Sequence, residues 1–475
     1  MKPTMKLTCT VVLAAFAATS TFAGSPAWPM FRGPNGSGVS TTAKPPVKFG
    51  PKEAVLWQVD VPWSPSSPCV WGERIYLSTF ADGQLQTRAY RRADGKLLWT
   101  RVAPHETLEE YHQTAGSPAS ATPATDGKRV VSYFGSSGLV CYDVNGKELW
   151  QRRLPVAKTS GNFGSGTSPF ITGDRVILNR DLTAGSSILA VSLKTGKKLW
   201  ETPRPDSPTS YGTPILWRHD GLTEIVMAGS ISLKTYAPST GAERWLVRGL
   251  PCATCTTPVL GGEMLFFAGW GPGKADAPMP NWEGFIEKQD KNRDGWLSAE
   301  EVEGGVSALK AYDMDDNGKL ERTDWNAIED MLKRGENSLL AIKPGGKGDV
   351  TATHVAWKFE RGLPYVPSPL YYQGRVYLVK DGGMMSSLDA KTGQAIYTQE
   401  RLKDADGTYY ASPVAADGRI YVTSLNGKLT VVKAGGDKPE ILHQADFGEH
   451  ISATPALVED NLYLRTQTKL YAIGS

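Results

Sequence analysis

Apolar and polar positions along the chain alternate in short bursts rather than at helical spacing. Arg74-Ile75-Tyr76-Leu77-Ser78, Gly374-Arg375-Val376-Tyr377-Leu378 and Arg419-Ile420-Tyr421-Val422-Thr423 each keep a period of two over five residues, the mark of a half-buried strand. A second pattern follows such runs, a glycine turn leading to an aromatic: Asp94-Gly95-Lys96-Leu97-Leu98-Trp99, Asn145-Gly146-Lys147-Glu148-Leu149-Trp150 and Lys194-Thr195-Gly196-Lys197-Lys198-Leu199-Trp200. Ser239-Thr240-Gly241-Ala242-Glu243-Arg244-Trp245 repeats it, and Lys391-Thr392-Gly393-Gln394-Ala395-Ile396-Tyr397 keeps the frame with Tyr for Trp. A Ser-Pro or Thr-Pro opens each unit, at Ser67, Thr122, Ser168, Thr213, Thr257, Ser368, Ser412 and Thr454. Proline is tolerated at a strand's first residue, where its missing N–H leaves no gap in the ladder. Recurrence at roughly 40–50 residues of four short strands predicts a β-propeller.

The eight openings predict eight blades. The last unit stops at Leu470-Tyr471-Ala472-Ile473, before any closing aromatic strand, while Ala54-Val55-Leu56-Trp57-Gln58-Val59 carries a Trp with no unit before it. Pairing that strand with the last three closes the ring and leaves no open sheet edge between the two ends. Setting aside an insertion at 274–338 leaves about 44 residues per blade. The expected fold is therefore all-β, an eight-bladed β-propeller closed by the N-terminal strand, with a small α-helical insertion in blade 5. Its parts are a leader at 1–23, an N-terminal extension at 24–54, propeller at 55–273, the insertion at 274–338, and propeller again at 339–475.

The leader is read from Lys2 and Lys6, the apolar stretch Val11 to Ala18, and Thr21-Phe22-Ala23, a small-residue cleavage site. It predicts export, with cleavage near Ala23 and an extracytoplasmic location, periplasmic or secreted. No later run is long and apolar enough to span a membrane as a helix. The 52 basic and 49 acidic residues become nearly balanced once Lys2 and Lys6 are removed, which speaks against nucleic acid or an anionic membrane as partner. Cys69 and Cys141 sit inside apolar strand patterns and read as core. Cys252-Ala253-Thr254-Cys255 either closes a disulfide after export or stays reduced; it lacks the βαβ setting of a redox CxxC.

The repeated segments, with Leu388-Asp389-Ala390-Lys391-Thr392-Gly393 and Tyr142-Asp143-Val144-Asn145-Gly146, resemble the PQQ-type propeller repeat, in which an Ala-x-Asp-x-x-x-Gly-x-x-x-Trp segment docks one blade on the next. That resemblance covers nearly the whole chain outside the leader and the insertion. It implies packing roles for the Trp residues. The family includes quinoprotein dehydrogenases and also BamB, a non-enzymatic propeller, so fold does not choose the function. The opening Trp28-Pro29-Met30-Phe31-Arg32-Gly33-Pro34 is similar to the start of exported PQQ-repeat proteins.

The insertion holds the clearest chemistry. Residues 290–301 have the pattern of a twelve-residue EF-hand loop: Asp290, Asn292 and Asp294 at positions 1, 3 and 5, Gly295 at the turn, the Trp296 carbonyl, Ser298, and Glu301 as bidentate closing ligand. A second loop offers Asp313, Asp315, Asn317, Lys319 through its carbonyl, Glu321 and Asp324, with Asp where Glu is usual, and so predicts weaker binding. One or two Ca²⁺ per chain are expected. Leu297 and Leu320 hold the eighth positions, where paired loops of that family bridge. Trp282, Phe285 and Ile286 share a face before the first loop, and Trp325, Ile328, Met331 and Leu332 share one after the second. Only residues 302–312 separate the loops, so one short helix must serve both, and a structural staple is expected rather than a calcium switch.

The insertion joins strands B and C, and B–C and D–A connections emerge on one face of a propeller. Further candidates on that face are His112 before blade 2, Arg180 and Asp181 after strand B of blade 3, and Lys380 and Asp381 after strand B of blade 6, with Tyr211, Tyr365, Tyr409, Tyr410 and His450 at blade starts. Charged groups and aromatics converging on an axial cleft suit a polar small-molecule ligand or a protein partner. The chain has no Cys-Cys pair, Cys-x-x-Cys-His, HExxH or GxSxG, and PQQ is not expected as a cofactor. The expected role is an exported calcium-binding scaffold for protein interaction or assembly in the cell envelope. The alternative is a PQQ-dependent or sugar-acting oxidoreductase using the insertion-bearing face.

Overall fold

A computed structural model describes residues 26–113, 116–271, 280–315 and 317–474. The expected leader, the residues around 272–279 that open the insertion, and Asp316 lie outside the described residues. Eight sheets follow one another, in each of which four antiparallel strands run A to D from the axis outward, and blade 4 adds Gly348–Asp349 parallel to its outer strand. Blade 3 is typical: Phe170–Thr172, Arg175–Arg180, Ser187–Ser192 and Lys198–Pro203, joined by tight turns. Blade 8 is composite. Its outer strand is Val55–Asp60, which pairs antiparallel with Lys469–Ile473, so the seam of the ring is held by hydrogen bonds between the two ends of the propeller.

The Gly-x-x-x-Trp spacing has a packing cause. Each outer-strand Trp lies on the C–D turn of the next blade and donates its indole N–H there: Trp57 to Arg92 O, Trp99 to Val144 O, Trp150 to Leu193 O, Trp200 to Pro238 O and Trp357 to Ala390 O, at 2.8–3.2 Å. The turn glycine is what the ring rests on. A Cβ at Gly196 would lie 2.5 Å from Trp150, and one at Gly241 would lie 2.3 Å from Trp200, with both glycines at positive φ. Blade 4 breaks the rule: Trp245 donates instead to the buried Glu224 of its own blade, 3.1 Å.

The N-terminal extension is not peripheral. Ala27–Trp28 adds a short strand to the inner edge of blade 1. The chain rises in the axial channel to Phe31, turns, and pairs with strand A of blade 7 on its return, Val39 bridging Ala415. Asn35 mimics a strand partner for Leu216, accepting its N–H and donating to its carbonyl, both 2.8 Å. Pro29 O accepts from Thr125 N in blade 2, and Arg32 Nη2 donates to Pro369 O in blade 6. Residues 28–39 thus form a plug, with Trp28 fully buried and stacked against Gly33.

Strands B (Met264–Gly269) and C (Ser338–Ile342) of blade 5 enclose three helices: α1 (Trp282–Gln289), α2 (Gly305–Tyr312) and α3 (Arg322–Arg334). They pack around their own small core of Trp282, Leu297, Val302, Leu309, Leu320 and Trp325. At the neck, Asn337 bonds both backbone groups of Gly271, 2.9 and 3.0 Å. Among the described residues no helix is long and apolar enough to cross a membrane.

Candidate functional site

The strand-A openings do more than begin strands. Ser67 N donates to Thr122 Oγ1, Thr122 N to Ser168 Oγ, Ser168 N to Thr213 Oγ1 and Thr213 N to Thr257 Oγ1. The series continues from Thr257 N to Ser368 Oγ, Ser368 N to Ser412 Oγ, Ser412 N to Thr454 Oγ1, and Thr454 N back to Ser67 Oγ, all eight bonds within 2.9–3.2 Å. This closed collar encircles the axis. The invariance of Ser or Thr before each proline follows, because only a short β-hydroxyl can accept from the neighbouring blade there.

Above the collar lies an axial cavity of about 240 Å³, floored by Phe31 of the plug. Its wall includes Tyr211, Tyr365, Tyr410 and Cys255, with six collar hydroxyls at its base. None of the described lining side chains is charged. Burial pushes the Cys255 thiol up to about 12 and raises the phenols of Tyr211, Tyr365 and Tyr410, so the wall is neutral. Cys252 and Cys255 are not joined. Trp270, at the root of the insertion, meets Tyr365 edge-on at 5.7 Å. Helix α2 packs across the face against the turn Ser160–Asn162, and Ser160 and Phe163 belong to the cavity wall. The insertion therefore leans over the mouth.

The charged candidates stand around this cavity rather than in it. His112 is exposed and stacks on Phe163, centroids 5.5 Å apart. Asp181 is fully buried in a two-pronged ion pair with Arg204, 2.7 and 3.0 Å, and accepts from Ser210 Oγ. Arg180 donates to Pro155 O, 2.7 Å. Lys380 ends strand B of blade 6, and Asp381 is an exposed residue that accepts from Tyr409 N, 2.8 Å. None of these five residues lines the axial cavity. The plug and the collar are structural features that strand-pattern reading passes over.

Glu109 lies one hydroxyl behind the wall. Its Oε2 accepts from Ser165 N and Oγ, 2.9 and 2.7 Å, and Oε1 has no partner. Burial pushes its carboxyl from 4.5 up to about 7, against the opposing pull of those bonds and Arg180. Below pH 4.5 the folded and unfolded chains both hold this proton; between 4.5 and 7 only the folded chain does, so rising pH favours unfolding. The parent should lose on the order of 3 kcal/mol relative to Glu109→Gln across that window. Urea titrations of both proteins at each pH measure the difference.

The two acidic loops are preformed to different degrees. In the first, Asp290 accepts from Arg293 N and Gly295 N, Asn292 and Asp294 cap the turn, and Glu301 reaches back to Lys291 N and Asn292 N. Ser298 N and Oγ bond Glu301 and hold its carboxyl below the usual range. In the second, Asp313, Asp315 and Asp324 each bring an oxygen within 4.8 Å of the others. Asn317 donates to Asp315 and Glu321, and Lys319 Nζ sits 4.2 Å from the Trp296 ring centroid. Leu297 and Leu320 exchange both backbone bonds at 3.0 Å, tying the loops together.

A family profile described as "Outer membrane protein assembly factor BamB" matches residues 88–248 and 307–474, more than half of the chain. The chain belongs to the BamB family of PQQ-repeat propellers. Among solved structures, this BamB-family chain is similar to BamB from Moraxella catarrhalis, with 12% identity, a TM-score of 0.52, and coverage of 87% of this chain and 95% of that one. A europium-containing methanol dehydrogenase gives 11%, 0.57, 95% and 98%, and the computationally designed Ika8 protein 11%, 0.54, 88% and 99%. At such identities these likenesses establish the eight-bladed fold of the BamB-family chain and nothing finer. No curated protein matches it at the sequence level.

Proposed function

We propose that this chain is a calcium-binding scaffold of the cell envelope that holds a protein partner on its insertion-bearing face. The observation that carries the reading is the uncharged wall of the axial cavity. Pyrroloquinoline quinone is a tricarboxylate that works beside a divalent cation; it wants cationic side chains for its acids and carboxylates for its metal. The described wall offers no direct ion-pair partner for three acids and no carboxylate for a metal, so these residues do not fit that cofactor. An envelope setting is supported by membership of a family described as an outer membrane assembly factor.

A photo-crosslinking residue at Trp270 should capture one defined envelope protein in intact cells, while the same residue at Leu222, on the opposite, A–B face, should not. Saturable dye reduction by purified protein given the quinone, Ca²⁺ and an alcohol or sugar would overturn the scaffold reading.

Calcium belongs to the insertion in this reading. Asp290, Asn292, Asp294, the Trp296 carbonyl, Ser298 and Glu301 would hold one ion, and Asp313, Asp315, Asn317, the Lys319 carbonyl, Glu321 and Asp324 a second, weaker one. Sites of extracellular modules fill at about 10⁻⁴–10⁻³ M, which favours permanent occupancy over signalling. Calorimetry should show one or two Ca²⁺ per chain. Glu301→Ala should abolish the tighter event and Asp324→Ala only the weaker, and chelation should lower melting of the insertion, not of the ring. An unchanged isotherm in Glu301→Ala refutes the assignment.

A further inference from the structure

The collar is rich in donors and short of acceptors. Each of its eight hydroxyls accepts a backbone N–H from the preceding blade, and among the described residues none donates its own proton to a protein acceptor. Six of these O–H groups line the base of the axial cavity. Each hydroxyl has one lone pair engaged by that N–H and keeps an O–H free to donate, so the ring can offer hydrogen bonds to an acceptor on the axis.

Behind the wall the buried charge is mixed: the Glu109 carboxyl bonds the lining Ser165, while two arginines lie without a carboxylate partner. Arg32 follows Phe31 of the cavity floor, is fully buried, and bonds only Pro369 O, next to the collar residue Ser368; its Nε and Nη1 have no partner. Arg465 is equally buried and donates to Ser66 O, Ser78 O and Pro62 O, the first of these beside the collar residue Ser67. Neither has a carboxylate partner among the described residues, although nearby buried charges do: Asp181 balances Arg204, and Glu109 lies in the field of Arg180. Asp381 is exposed and screened by water. Neither guanidinium lines the cavity, and each meets the collar only through a backbone carbonyl beside a collar residue, but two buried cations without counter-charge favour an anion nearby.

We propose that the axial cavity binds a single carboxylate carried on an apolar or aromatic body, with the collar hydroxyls as its hydrogen-bond donors and the buried Arg32 and Arg465 as its counter-charge. Phe31, Tyr211, Tyr365, Tyr410 and Val366 surround the apolar part. The inference rests on the axial mouth being the working face, as in the scaffold reading, but not on the partner being a protein. The same chemistry is offered by a small aromatic acid and by the C-terminus of a chain ending in a bulky apolar residue.

The test is calorimetric titration of the full chain with 3-phenylpropionate and with its amide, which share a shape and differ in charge. The acid should bind at least tenfold more tightly and raise the melting temperature. Its affinity should fall at low pH where the probe itself protonates, and again towards neutral pH and above as Glu109, bonded to the lining Ser165, ionises. Ser412→Ala removes one lining donor and should weaken the acid several-fold and the amide less; Arg32→Met should weaken the acid further and leave the amide unmoved. Should Arg32→Met fail to fold, Ser412→Ala and the acid–amide pair still decide. Equal binding of acid and amide, no binding of either at millimolar concentration, or an acid isotherm unchanged by Ser412→Ala would each overturn the proposal. An acetylated tripeptide ending in Phe, as free acid and as amide, distinguishes a chain terminus from a small acid as the source. Crosslinking from Trp270 is independent of all these outcomes, so a failed titration leaves the scaffold reading standing.

Discussion

Replacing Asp181 by Ala should remove about 3–5 kcal/mol of stability, because it strands a buried guanidinium. Arg204 spends its Nε and Nη2 on the two oxygens of Asp181, and its Nη1 donates to the Tyr236 hydroxyl. Both ionised side chains are fully buried. Little water can reach the arginine once its partner is gone, and Gly229 packs so closely that a Cβ there would lie 2.3 Å from Nη2. The double variant Asp181→Ala, Arg204→Met should recover much of the loss, since a buried pair is worth little more than an apolar replacement of similar volume. A double-mutant cycle by urea denaturation measures both numbers. A loss under 1 kcal/mol for Asp181→Ala would mean that Arg204 finds another acceptor.

Trp28→Ala should be comparably damaging, about 3–5 kcal/mol by the usual cost of emptying a buried aromatic site. Its position makes the effect global. Trp28 anchors a plug that bonds blades 1, 2, 4, 6 and 7, so the whole ring should melt earlier in one transition, without a separate early step. Differential scanning calorimetry distinguishes these outcomes. A distinct low-temperature shoulder, with the main transition unmoved, would show that the ring does not lean on its plug.

Blade number and seam were legible because each makes a periodic demand. Eight Ser/Thr-Pro openings recur, and Trp57 stands without a unit before it. The docking of Trp150 on Gly196 follows from the same repeat, and the structure adds its reason, the close approach of ring to glycine. The plug has no such signal. Residues 28–36 show no period, and Asn35 meets Leu216 across 181 positions of sequence. The collar was half visible: a Ser or Thr before every proline marked the strand start, while its bond to a neighbour some 45 positions away left no local trace. The site suffered most. Tyr211, Tyr365 and Tyr410 were placed at the axial mouth by topology and do line the cavity. Arg180, Asp181, Lys380 and Asp381 were placed on the same face, but side-chain chemistry alone does not reveal that a charge such as Asp181 is already spent on a partner like Arg204.

The seam in blade 8 also imposes an order of events. Asp60 is made 409 positions before Lys469, its partner across the seam. The plug is made earlier still and fits a channel that exists only once all eight inner strands stand together. Both therefore lack part of their contacts until strands far downstream exist. Blades 2 to 4 can meanwhile form from contiguous chain, each from local hairpins. Until the final strand arrives, the edge of blade 8 and the empty channel are exposed, which makes the interval before closure the time when this chain is most open to mispairing with another copy of itself.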